Sequence, residues 1–259
     1  MRMLFVGDVV GRPGREALEQ HLAKVQWKYK IDFTVVNGEN ASGRAGLNKK
    51  GLAEMLTLGI DAVTMGNHVW DNKDIYNFID REERLLRPAN LPAETPGRGW
   101  RVFACGDKQV AVINLLGRVY MGSWQPDCPF HTVDAILAEV QKITPYIFVD
   151  WHAEATSEKV AMGWHLDGRV SAVSGTHTHV QTNDARILPK GTGYLTDVGM
   201  TGPRDSVLGL DPEPVIKRFI TQMPCPYGLA AGENQFNAVV FDLEDTGKTK
   251  NVETISFVC

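Results

Sequence analysis

The stretch Ser174-Gly175-Thr176-His177-Thr178-His179 sets two imidazoles two residues apart, beside a glycine and just past the apolar run Val170 to Val173. A buried imidazole needs partners for both ring nitrogens, and one loop seldom supplies them for two rings. A metal centre does, because each ring gives one nitrogen to the metal and its other N–H to a nearby acceptor. Taken alone, the pair reads equally well as an exposed polar loop. It does not stand alone. Asp8, Glu39, Asn67 and His152 each follow the end of an apolar run as well, at Met3 to Val6, Phe33 to Val36, Asp61 to Met65 and Tyr146 to Val149. Singly these are ordinary turn or cap residues. Together they bring separate strand ends, each with an oxygen or imidazole donor, to what must be one rim.

The donor set is two carboxylates, one amide and three imidazoles, without a thiolate. This mixture suits five- or six-coordinate iron or manganese better than tetrahedral structural zinc. Six protein donors are too many for one catalytic ion with open positions, but fit two ions that share a carboxylate. Such a centre stays net positive and attracts an anionic substrate. Two metals about 3.5–4 Å apart, stabilising both attacking and leaving oxygens, are the usual means of hydrolysing a phosphoester.

The elements that must position these donors alternate. After the strand Met3 to Val6, Gly11-Arg12-Pro13-Gly14 opens a helix over Arg15 to Tyr29, with Pro13 near its first turn. The Lys-Ser/Thr of a P-loop and the GxGxxG spacing are both absent, so these glycines do not read as a nucleotide loop. Asn48 caps a helix running to Leu58 and closed by Gly59. Asp71 to Arg81 is expected to be helical, Val133 to Ile143 forms an amphipathic helix, and another helix covers Pro214 to Gln222. Val110 to Leu115 and Ala238 to Phe241 are further strands, the latter the last. With no repeat, linker or change of composition, residues 1–259 read as a single α/β domain with a mixed sheet or two packed sheets. Ligands of such sheets gather beyond the carboxyl ends of the strands, where the donors lie.

Composition excludes several classes. Apolar residues make up 43% and charged residues 22%, ordinary for a globular chain. A net charge of −4 argues against non-specific binding of long nucleic acid. Cys105, Cys128, Cys225 and Cys259 are widely spaced, as free thiols in a reducing cytosol would be. The apolar run after Met1 is too short for a signal-peptide core, and none approaches the roughly 20 residues of a membrane span. A soluble cytoplasmic protein is expected, with its oligomeric state open.

The series Gly7-Asp8, Gly38-Glu39-Asn40, Gly66-Asn67-His68, His152 and Gly175-Thr176-His177-Thr178-His179 resembles the calcineurin-like metallophosphoesterase superfamily. It is most similar to the bacterial YmdB-type branch, associated with 2′,3′-cyclic-nucleotide phosphodiesterase activity. Gly66 to Asp71, His152 to Lys159 and Thr196 to Gly202 match that branch, and the similarity runs from Asp8 to about Phe241. Two features depart from the wider superfamily: Val10 occupies the histidine position of its Asp-x-His motif, and Glu39 stands where it has aspartate. Both are shared with the YmdB-type branch.

The resemblance implies a four-layer sandwich, two mixed β-sheets packed together and flanked by helices. It implies that Asp8 and His179 bind one metal, that Asn67, His152 and His177 bind the other, and that Glu39 bridges them. Asn40 lies close enough to touch a metal or the phosphate, a bridging hydroxide is the nucleophile, and His68 is the general acid. The implied ions are two, iron or alternatively manganese, and the implied substrate is a small phosphoester, foremost a nucleoside 2′,3′-cyclic phosphate. Trp70, Trp124, Trp151, Trp164 and Tyr194 are candidate surfaces for stacking the base. Rival readings are a phosphomonoesterase or nuclease using the same metals, and a slow-turnover regulator that binds a nucleotide or an RNA end.

Overall fold

A computed structural model describes residues 1–259. In chain order the first half comprises β1 (Arg2–Val6), β2 (Asp8–Val9), α1 (Gly11–Tyr29), β3 (Phe33–Asn37), α2 (Lys49–Leu56), β4 (Ala62–Thr64), β5 (Leu85–Leu86), β6 (Trp100–Cys105) and β7 (Lys108–Leu116). The second half comprises α3 (Pro129–Val140), β8 (Tyr146–His152), α4 (Thr156–Leu166), β9 (Ala172–Thr176), β10 (Arg186–Ile187), β11 (Gly193–Leu195), β12 (Met200–Pro203), α5 (Pro212–Thr221), β13 (Asn234–Leu243) and β14 (Thr249–Val258).

The strands form two sheets. An eight-stranded sheet runs β2-β12-β13-β1-β3-β4-β5, with β14 on the free edge of β13, and a six-stranded sheet runs β10-β11-β9-β8-β7-β6. β1, β3, β4 and β5 are parallel to one another, as are β7, β8, β9 and β11. Alternation along each strand divides its side chains between two cores. Met3, Phe5, Phe33 and Val35 meet Val110, Val112 and Phe148 between the sheets. Leu4, Val6 and Val36 face outward onto Leu18 and Leu22 of α1 and Leu52 and Met55 of α2. Ala111, Ile113, Ile147 and Val149 face outward onto α3 and α4. Both faces of each central strand are therefore covered, which is why these strands read as unbroken apolar runs. The result is the four-layer sandwich, helices outside and two mixed sheets within.

Local expectations fared unevenly. Asn48 caps α2 as expected, its side chain accepting from the Gly51 N–H at 2.7 Å. The α1 helix starts four residues earlier than Arg15, at Gly11, and α3 begins at Pro129 rather than Val133. Asp71 to Arg81 is not a helix of full length but holds only a 3₁₀ turn, Lys73–Asn77. Its Asn and Asp side chains take up backbone donors locally, as Asn72 does from the Asp74 N–H at 3.1 Å, and so compete with the helical ladder. Ala238 to Phe241 is the middle of β13 and not the last strand. The last is β14, an edge strand with one solvated face and hence no apolar run. No helix is long and apolar enough to cross a membrane.

Phe148 joins the sheets, with ring centroids 4.8 Å from Phe5 and 6.2 Å from Phe241. Phe148→Ala should cost about 3–5 kcal/mol in chemical denaturation, because both sheets must move to close the cavity. A loss under about 1 kcal/mol would mean that the inter-sheet core repacks freely.

Candidate active site

Each donor is delivered by a strand end. Asp8 begins β2 immediately beyond β1, Glu39 and Asn40 follow β3, and Asn67 and His68 follow β4. His152 is the last residue of β8, and His177 and His179 follow β9. The two parallel halves point their carboxyl ends at one rim, so residues from both sheets meet there. A side chain at Gly66 would collide with the Glu39 carboxylate and the His152 ring, so glycine is what lets this strand end pass beside them.

All eight sequence-predicted residues come together. Glu39, His152 and His177 each offer a donor atom within 4.8 Å of the others, and so do Asp8, Glu39 and His179. Glu39 belongs to both groups. Asn67 Oδ1 lies 2.9 Å from His152 Nε2, and Asn40 Nδ2 donates to Glu39 Oε1 at 3.0 Å and lies 3.3 Å from His179 Nε2.

The outer nitrogens of the rings are all engaged. His152 Nδ1 lies 2.8 Å from Thr176 Oγ1, whose hydroxyl donates to Asp150 at 2.7 Å. His177 Nε2 lies 3.1 Å from the Glu154 carboxylate, and His179 Nδ1 3.1 Å from the Leu208 carbonyl. Those acceptors take the ring N–H groups and leave His152 Nε2, His177 Nδ1 and His179 Nε2 as inward lone pairs. His177 Nδ1 and His152 Nε2 face each other at 3.0 Å, and Glu39 Oε2 is 3.3 Å from the latter. Asp8 Oδ1 is buried with no hydrogen-bond partner. Converging lone pairs and an unpartnered buried carboxylate oxygen fit a cation.

Charge tells the same story. Burial, then repulsion from Asp197, pushes Asp8 up to about 8; burial and the neighbouring Asp8 hold Glu39 well above the carboxylate range. Burial pushes Asp150 up to about 7. Burial also lowers His152 and His179, and takes His177 down to about 4, so all three rings are in the neutral, ligating form.

The loop carrying His177 and His179 is held in strained backbone, with φ of 97° and 63° at the two histidines. The His177 N–H donates to Asp8 Oδ2 at 3.2 Å and the Thr178 N–H to Asp197 Oδ2 at 3.1 Å. Buried Lys159 clamps the same carboxylate at 2.9 Å and the Thr176 carbonyl at 2.5 Å. Glu154 and Asp197 lie in stretches that carry the family resemblance, but only the fold reveals what they hold.

A cleft of about 470 Å³ opens over the donors, lined by His68, Asp71, Glu154, Arg44, Leu208 and Tyr227 among others. His68 Nδ1 lies 2.8 Å from Asp71 Oδ2, and its backbone N–H donates to Glu39 Oε2 at 3.2 Å. Val10 lines the cleft where the wider superfamily has a histidine. None of the expected stacking residues does. Trp151 and Tyr194 are core residues of the outer layer, Trp124 packs on the α1/α2 side, Trp70 stacks on Tyr76, and Trp164 stands exposed beside Arg186. The aromatic of the cleft is Tyr227, which sequence reasoning missed because it lies in an irregular Pro- and Gly-containing segment far from every motif.

Fold and site define a hydrolase of the calcineurin-like phosphoesterase class, with residues suited to divalent metal ions. A family profile described as "YmdB-like protein" matches residues 4–255, and the chain belongs to that family. It is 53% identical to the 2′,3′-cyclic-nucleotide 2′-phosphodiesterase of Bacillus subtilis over 98% of this chain and 96% of that one. A crystal structure described as a novel phosphatase from Mycoplasma pneumoniae superposes with a TM-score of 0.94 at 34% identity, covering 100% and 93% of the two chains. A hypothetical protein from Thermus thermophilus gives a TM-score of 0.93 at 40% identity, covering 100% and 99%.

The raised carboxylates fix the sign of a pH effect in metal-free protein. Asp8 and Asp150 retain protons in the folded state up to about 8 and about 7, whereas unfolded they ionise near 3.8. The folded state thus binds more protons, and stability falls as pH rises. Above the ordinary histidine range the lowered imidazoles no longer oppose this. Thermal melts of chelated protein should show a lower Tm at pH 8 than at pH 7, with added Mn²⁺ abolishing the difference. A higher Tm at pH 8 without metal would contradict the crowding of uncompensated carboxylates.

Proposed function

We propose that the chain is a two-metal phosphodiesterase that opens nucleoside 2′,3′-cyclic phosphates at the 2′-oxygen. The observation that carries this reading is Glu39, shared by two donor groups beneath a cleft that also holds an imidazole paired with a carboxylate. In this reading Asp8 and His179 hold one ion, Asn67, His152 and His177 the other, and Glu39 bridges. We assign Asn40 to an ion or the phosphate. The all-oxygen-and-nitrogen donor set favours iron, with manganese as the alternative. When bound, such a pair supplies charge to the phosphoryl oxygens and activates water near neutral pH.

The chain's own residues do the rest. Thr176, Glu154 and the Leu208 carbonyl fix which nitrogen each imidazole presents. Water adds to phosphorus as the bond to the 2′-oxygen breaks, His68 gives its proton to that oxygen, and the proton released by the water passes to solvent, from which His68 is recharged. Asp71, accepting from Nδ1 at 2.8 Å, holds the ring in place. Attack on a five-membered cyclic diester is assisted by relief of ring strain, and its single negative charge suits a net positive site. The relative from B. subtilis supports this substrate, as its name describes the same reaction. The four unbridged cysteines support a reducing cytoplasm as its location.

His68→Ala should keep its metals and lose about a hundred- to ten-thousandfold in turnover of cyclic nucleotides. The loss should shrink for p-nitrophenyl esters, whose leaving group departs without protonation. An equal loss on both would remove His68 from the role of acid. The substrate itself is tested by assaying the four 2′,3′-cyclic nucleotides beside 3′,5′-cyclic nucleotides and simple monoesters under Mn²⁺. Turnover of monoesters with none of 2′,3′-cyclic compounds would establish the phosphomonoesterase reading instead.

A further inference from the structure

Besides its imidazoles the cleft has one guanidinium among its lining residues, Arg44, and one phenol ring, Tyr227. The acidic residues there are otherwise engaged: Glu39 among the metal donors, Asp71 with His68, and Glu154 with His177. Arg44 makes no ion pair. Its guanidinium lies over the Tyr227 ring, 5.0 Å from the centroid, while Arg218 donates to the Tyr227 hydroxyl at 2.7 Å.

Both residues are presented by anchored segments. Arg44 tops a short loop closed by the Ser42 N–H to the Gly46 carbonyl at 3.0 Å and by Ser42 Oγ to Asn48 at 3.0 Å. The segment bearing Tyr227 is tied back just beyond it, by Asp211 N–H to the Gly228 carbonyl at 3.1 Å and Ala230 N–H to the Gly209 carbonyl at 3.0 Å. It thereby rests on the stretch whose Leu208 carbonyl orients His179. A stacked guanidinium and phenol with no carboxylate partner, held at a fixed place beside a phosphoester site, is a surface for another flat π-system.

We propose that Tyr227 and Arg44 form the wall on which the nucleobase stacks, and that this wall selects nucleoside cyclic phosphates over simpler phosphodiesters. This rests on the phosphodiesterase reading of the site. Stacking of this kind accepts every base, since each has a π-face. The wall therefore favours nucleosides as a class and discriminates little among the four bases.

The test compares adenosine 2′,3′-cyclic phosphate with glycerol 1,2-cyclic phosphate, which has the same strained ring but no base. Tyr227→Ala should raise KM for the nucleotide by about ten- to a hundredfold with kcat unchanged, and leave KM for the glycerol compound as it was. Arg44→Ala should move the same KM in the same direction, and Tyr227→Phe, which keeps the ring, should behave as the parent. An equal rise for both substrates, or no rise for the nucleotide, would overturn the stacking wall. Calorimetric titration with adenosine makes the test independent of turnover: weaker binding by Tyr227→Ala than by the parent supports the wall, and equal binding overturns it. If the parent hydrolyses neither cyclic compound, the phosphodiesterase reading falls while the titration still decides the wall.

Discussion

Two fully buried carboxylates, Asp8 and Glu39, lie close enough to repel each other at the seam between the sheets. Desolvation and like charge both oppose their ionisation, and the neighbouring Asp197 adds to the cost at Asp8. Lys159 relieves Asp8 partly, but its ammonium is hydrogen-bonded to Asp197 and the Thr176 carbonyl. Stripped of protons, such a pair needs something positive between its oxygens. The remaining features of the site follow from that need. Neutral imidazoles surround the carboxylates, each with an outer acceptor for its N–H, so that lone pairs rather than protons point inward.

Meeting this constraint draws on both sheets. Asp8, Glu39 and Asn67 come from the ends of one parallel set, His152, His177 and His179 from the other. Packing between Phe5, Phe148 and Phe241 therefore bears on the spacing of these side chains as well as on stability. The strained backbone at His177 and His179 is over-determined by the N–H bonds to Asp8 and Asp197 and by the Lys159 clamp. Strain of about 1–3 kcal/mol per residue persists only under such support.

Much of this was legible in the sequence, for a physical reason. Strands covered on both faces must be apolar throughout, so a sudden polar residue such as Asp8, Glu39 or His152 marks where the strand emerges at the rim. Asp8, Glu39, Asn67, His152, His177 and His179 stood out for that reason, whereas Asn40 and His68 came from the family resemblance alone. What acts from a distance did not stand out. Asp150 and Thr176 orient His152, and Asp197 and Lys159 brace the histidine loop, through contacts between residues 17 to 38 positions apart. No local pattern announces such pairs. The solvated edge strand β14 lacked an apolar run, and in the stretch after Asp71 the expected helix is interrupted where asparagine and aspartate side chains take up backbone donors locally. Large aromatics were a poor guide to the cleft, since Trp151 and Tyr194 serve the core, while Tyr227 sits in a segment with no periodicity to read.

The central claim is that Glu39 joins two cation sites. Anomalous diffraction from crystals of protein loaded with Mn²⁺ tests it most directly. Two peaks about 3.5–4 Å apart are expected, one between Glu39, Asp8 and His179 and the other between Glu39, His152 and His177. A single peak, or two peaks neither of which contacts the Glu39 carboxylate, would contradict it.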